Sequence, residues 1–241
     1  MAPELGERRR NIRAAGIFDV QKETLFGLLI YAHDIVEQQL IGLPEWGRTD
    51  WFEIAARGDA NATDEQLRGM VASLLEDRFC LVIRREQRRM TRFDLKLAGA
   101  DGRLGPNLQA VASCRPEDRP KREPAPNGAN ASYGCGDMSA VAKTASRPMR
   151  AFVADSTGIS GTFDYVIHTS MTEVERFGFR PLPPEALAGL GDRWPTFETA
   201  VQEQLGLKLD RSDGLVPVLV IDSVRQPTGN QRTVWQPTQL H

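Results

Sequence analysis

The side chains in this 241-residue chain best suited to chemistry are three histidines, three cysteines, a Ser-Asp pair and a run of arginines. His33, His168 and His241 lie far apart, and no His-Glu-x-x-His occurs. Cys80, Cys114 and Cys135 lack the Cys-x-x-Cys spacing of structural zinc. The expectation is therefore no metal and no cofactor. Asp155, Ser156 and His168 offer a carboxylate, a nucleophile and a base. They make a hydrolase only if all three converge within hydrogen-bond reach.

The local context favours a turn over that reading. Asp155-Ser156-Thr157-Gly158 is similar to the Asp-Ser/Thr-Gly of aspartic proteases but has one residue more. The second carboxylate motif that this chemistry needs is absent from the first half. Asp155 at a strand end is expected to accept bonds from Thr157 and Gly158 in an Asx turn. No Gly-x-Ser-x-Gly is present. Gly158-Ile159-Ser160-Gly161 lacks the Lys-Ser/Thr of a phosphate loop and leads into a strand. The chain reads as a non-enzyme.

Arg84, Arg85, Arg88, Arg89 and Arg92 form the strongest surface feature, with Glu86 the one acid among them. Five guanidinium groups suit phosphate, carboxylate or an acidic protein partner. The competing reading is a solvated hairpin balanced by Glu76, Asp77 and Asp94. No aromatic residues interleave, so a base-stacking groove is not expected. A net charge of −2 and a pI of about 6.0 exclude a global positive field for nucleic acid. Trp46 and Trp51 flank a turn, where they either form an exposed patch or pack against the first helix.

The cysteines divide. Cys114 and Cys135 flank a segment rich in Pro, Asn, Gly and charge, which cannot bury enough apolar surface to order itself. A disulfide across its base would close about 20 residues and contribute on the order of 3 kcal/mol, given an oxidising compartment. Cys80, in Phe79-Cys80-Leu81-Val82-Ile83, reads as a small buried hydrophobe in a strand.

Helices and strands must position these groups. Thr24 can cap a helix whose apolar face is Leu25, Leu28, Leu29, Ala32 and Val36. Thr63 and Gln66 have capping-box spacing before Leu67, Met70, Val71, Leu74 and Leu75. Alternation predicts strands at Phe52–Ile54, Phe79–Ile83 and Phe93–Leu97, the last two joined by a polar hairpin at 84–89. Residues 99–136 read as a linker or long loop. Asp137 can cap a helix with Met138, Val141 and Ala142. Strands follow at Ala151–Asp155 and Phe163–Thr169, then loop over 170–195 and a helix through Phe197 and Leu205. Leu207–Leu209 and Val216–Val224 read as two further strands, with Pro217 at a strand end or edge.

Six apolar positions recur after 126 residues: Val71, Leu74, Leu75, Phe79, Leu81 and Ile83 fall on Phe197, Ala200, Val201, Leu205, Leu207 and Leu209. The predicted class is α+β: two related helix–strand–strand units, with helices packed on small mixed or antiparallel sheets. The units are placed at 16–98 and 137–230, with the linker between them and a tail at 231–241.

Several segments resemble a soil-associated bacterial family of unknown function. They are Gly42-Leu43-Pro44-Glu45-Trp46, Phe52-Glu53-Ile54-Ala55-Ala56 and Leu74-Leu75-Glu76-Asp77-Arg78-Phe79, then Asp155 through Tyr165, Gln204 through Leu209 and Val220-Ile221-Asp222. The resemblance implies export and no established activity, and some members lie behind a BlaR-type sensor metallopeptidase. His33 stands where the family tends to have Tyr, and Arg84 where it tends to have His. No export signal is visible here, because no apolar stretch directly follows the basic start at Arg8, Arg9, Arg10 and Arg13. No run approaches the roughly 18 apolar residues that span a bilayer. The expectation is an extracytoplasmic, non-catalytic module that binds an unknown protein or envelope component. The alternatives are the hydrolase above and a truncated copy without function.

Overall fold

The computed structural model describes residues 11–14, 16–121, 125–126, 129–170 and 194–227. The predicted loop at 170–195 falls largely outside them. The fold is α+β, with three small sheets and five helices among the described residues.

The first sheet is antiparallel, in the order β1 (Asn11–Ala14), β2 (Ile17–Thr24), β4 (Trp51–Arg57). Helix α1 (Leu25–His33) starts at Thr24, whose Oγ1 accepts from the Gly27 N–H at 3.1 Å. It ends at Asp34, in the left-handed region at φ 50, so Val36 is buried beyond the helix. Strand β3 (Leu40–Ile41) and the single turn α2 (Trp46–Thr49) follow.

Helix α3 (Asp64–Phe79) carries the predicted capping box: Gln66 N–H donates to Thr63 Oγ1 at 3.2 Å, and Thr63 N–H to Gln66 Oε1 at 2.8 Å. Leu67, Val71, Leu75 and Phe79 keep a four-residue period into the core. Phe79 therefore closes the helix instead of opening a strand. Cys80 follows at φ 47 and is exposed, which corrects the buried-strand expectation.

The expected hairpin at 84–89 does not exist. One 16-residue strand, β5 (Val82–Leu97), runs through it. Arg84 to Arg92 contains no Gly, Pro, Asn or Asp to turn the chain, and polarity alone does not make a turn. The last two predicted strands are likewise one, β10 (Leu207–Ser223). Gly214, within it, leaves room for Arg92: a Cβ there would lie 2.5 Å from the Arg92 guanidinium carbon. Pro217 consequently sits inside a strand, and its carbonyl accepts from Gln39 Nε2 at 2.8 Å.

The segment read as a linker supplies two strands, β6 (Leu108–Val111) and β7 (Ala129–Gly136). They flank β9 (Thr162–Ser170) in a second antiparallel sheet. Between β7 and β9 come α4 (Met138–Met149) and β8 (Val153–Asp155); Asp137 caps α4 through the Ala140 N–H at 2.9 Å. Helix α5 (Phe197–Leu205), capped by Thr196, leads into β10. The third sheet has the order β3-β10-β5-β8, with β3 parallel to β10 and β8 parallel to β5.

The chain divides into two compact units, Met1–Ile35 with Leu40–Glu86 and Leu219–His241, and Val36–Gln39 with Gln87–Val218. The first packs Phe18, Leu25, Leu29, Val71, Leu75 and Leu219. The second packs Leu95, Met138, Phe163, Ile167, Phe197 and Leu207. The boundary cuts β5 and β10, where the sequence reading puts it in the 99–136 segment. With the single turn α2 set aside, the order β2-α1-β3-β4-α3-β5 recurs as β7-α4-β8-β9-α5-β10, with β2 antiparallel to β4 and β7 antiparallel to β9.

Candidate functional site

A strand sends successive side chains to opposite faces, so β5 divides the arginines. Arg85, Gln87, Arg89 and Thr91 are exposed, whereas Glu86, Arg88, Met90, Arg92 and Asp94 are half-buried. Arg92 pairs with Asp94 at 3.0 Å and donates to the Leu215 carbonyl at 2.8 Å. Arg84 pairs with Glu86 at 2.7 Å and with Asp222. Arg88 is engaged as well. Arg85 and Arg89 have no ion-pair partner among the described residues. The five-arginine patch is therefore two free guanidinium groups and three engaged ones. Of the acids expected to balance it, Asp94 does so.

Asp155 makes the expected turn through Thr157, accepting from its N–H at 2.9 Å and its hydroxyl at 2.8 Å, while the expected bond from Gly158 is not among those of the described residues. The Ser156 N–H donates to the Leu95 carbonyl at 2.9 Å. His168 lies on another sheet, with its ring 5.7 Å from that of Trp194. The Gln204 amide holds the His168 backbone at both N–H and C=O, each at 2.8 Å. No hydrogen bond among the described residues joins His168 to Asp155 or Ser156. Burial pushes the His168 imidazole below its ordinary pKa. Burial, then the Arg85 charge, does the same to His33. Its Nε2 has no hydrogen-bond partner among the described residues.

A disulfide joins Cys114 and Cys135, 21 residues apart. Cys135 sits on β7 directly across from Asp164 of β9. Asp164 is 7% exposed, and Arg119 from the disulfide-closed segment reaches it with Nε 2.5 Å from Oδ1. This pair was missed at the sequence level. The signal was present in Phe163-Asp164-Tyr165: an acid between two aromatics in a strand needs a cation once buried. The neighbouring Tyr165 is buried, bonded to Thr144 Oγ1 at 2.6 Å, and pushed above its ordinary pKa by that burial.

The tryptophans part company. Trp46 is half-buried, edge-on to Phe52 at 6.5 Å, and Trp51 is 62% exposed. Among the described residues no three His, Cys, Asp or Glu side chains are grouped to hold a metal ion. No helix among them is long and apolar enough to cross a membrane.

The family described as "Protein of unknown function (DUF3738)" matches residues 27–224. The chain belongs to the DUF3738 family. Neither the curated proteins nor the solved structures hold a match to it. The DUF3738 match runs from within α1 to the end of β10, and so takes in the arginine strand, the disulfide and Asp164.

Proposed function

We propose that this DUF3738 protein is a non-catalytic binding module that works outside the cytoplasm, with an acidic protein or envelope component as its partner. One observation carries the reading: Arg85 and Arg89 stand exposed on β5 without ion-pair partners among the described residues, whereas Arg84 and Arg92 are ion-paired and Arg88 is engaged. Free guanidinium groups take carboxylate or phosphate in fork geometry, and exposed charges recruit an opposite surface in a salt-dependent way. The disulfide supports an oxidising compartment. The resemblance to exported proteins of soil bacteria, some fused to BlaR-type sensor peptidases, supports the same setting. The recurring order of strands and helices supports an internal duplication.

Immobilised poly-glutamate is the probe. The protein is expected to bind at low salt and to elute as ionic strength approaches about 0.15 M, where the screening length is about 8 Å. Arg85→Glu combined with Arg89→Glu is expected to abolish retention with the circular dichroism spectrum unchanged. Elution of that variant together with the unaltered protein would falsify the arginine reading. Unmodified thiols at Cys114 and Cys135 in protein recovered from its native host would remove the support for the compartment.

A further inference from the structure

We infer that the Cys114–Cys135 disulfide is a redox-controlled latch: oxidised, it holds Arg119 on buried Asp164, and a protein dithiol opens it. The inference is independent of the arginines on β5.

Three observations carry it. First, the bond and the ion pair share one place on the sheet. Asp164 lies between Gln109 of β6 and Cys135 of β7, its direct cross-strand neighbours. Phe163 and Tyr165 belong to the core cluster, so alternation sends the Asp164 side chain to the other face. Second, the segment after Cys114 is folded back onto that face. Ser113 Oγ donates to Asp118 Oδ2 at 2.5 Å, and the Asp118 N–H to the Arg115 carbonyl at 3.0 Å. Arg119 follows at once and meets Asp164. The tether at Cys114 keeps the guanidinium at high effective concentration over its carboxylate. Third, Cys114 is exposed while Cys135 is half-buried, which leaves one sulfur open to attack.

The chemistry is thiol–disulfide exchange. A thiolate of the reductant attacks Cys114 Sγ, the bond to Cys135 breaks, and Cys135 leaves as a thiolate that takes a proton. The reductant's second thiol then attacks its own sulfur in the mixed disulfide. Cys114 is released as a thiol, and the reductant departs as a disulfide. Two electrons and two protons pass to the chain. Residues 112–121 are then no longer tied to β7, and Arg119 leaves Asp164 with them. By linkage, the ion pair and the disulfide must stabilise each other equally.

The test uses the full chain carrying Cys80→Ser, equilibrated in mixtures of oxidised and reduced dithiothreitol, with thiols trapped by alkylation and counted by mass spectrometry. Arg119→Gln is expected to lower the oxidation equilibrium constant about tenfold, the size of a typical coupling between linked sites. Asp164→Asn should shift it in the same direction. Arg115→Gln, in the same turn, should leave it unchanged. Hydrogen exchange of the reduced protein should rise in residues 112–121 while α4 and α5 stay protected. An unchanged equilibrium in Arg119→Gln overturns the latch. So does lost protection of α4 and α5 on reduction, which would make the bond a structural staple. Should the variants not fold, hydrogen exchange of the Cys80→Ser chain decides alone.

Discussion

The legibility of single residues follows the sequence distance of their partners. Asp155 with Thr157 and Thr63 with Gln66 bond across two or three residues, so spacing predicts them. Arg119 and Asp164 bond across 45 residues, and only the awkward placement of the acid hints at it. Gly134 illustrates a need that spacing conceals. It pairs with Tyr165, and a Cβ at 134 would lie 2.1 Å from that ring, whose hydroxyl is fixed by Thr144. Gly134→Ala is expected to cost about 1–3 kcal/mol, as overpacking does, read as a lower urea midpoint. The histidines set a pH dependence. Burial lowers the folded-state pKa of both His33 and His168 below 6.5, so the unfolded chain binds protons first. Their neutral forms therefore support stability above that value, and it is lost as the pH falls through it towards the folded-state values. Urea midpoints taken between about pH 7.5 and pH 5 should decline, and less steeply in His33→Gln combined with His168→Gln.

At the scale of elements, helices were legible and strand ends were not. Every predicted cap is used, because a cap is a local contact between a side chain and a nearby N–H. Thr63→Ala should therefore lower stability by about 1 kcal/mol, and Thr63→Ser should retain most of it, compared by chemical denaturation. The strands failed differently. Apolar patterning marks the stretches of β5 and β10 that face a core, at Phe93 to Leu97, at Leu207 to Leu209 and at Val216 to Ile221. Between such stretches a strand is solvated, and its residues look like those of a turn. The arginines occupy that solvated stretch of β5, so their identity was legible while their geometry was not. Whether they converge or divide depends on a hairpin that is absent. The strand puts Arg84, with Glu86 and Asp222, among the engaged groups and leaves Arg85 exposed.

At the scale of the molecule, the two long strands decide what can fold. The recurrence of six apolar positions suggested two consecutive units, but each unit contains strand from the other half of the sequence. Leu219 and Ile221, near the end of the described chain, belong to the core otherwise built from Phe18 to Leu81. Leu219 and Val220 also supply the partner of β3. A fragment ending at residue 98 lacks all three. Deleting two buried aliphatic side chains from a core costs about 2–5 kcal/mol each, comparable to the whole stability of a small domain. The fragment 16–98 is therefore expected to show no cooperative urea transition. Adding a peptide of residues 207–227 should restore one, with a midpoint that rises with peptide concentration, because the peptide binds only the folded form. A cooperative transition in the fragment alone would mean that β10 contributes packing the unit does not need.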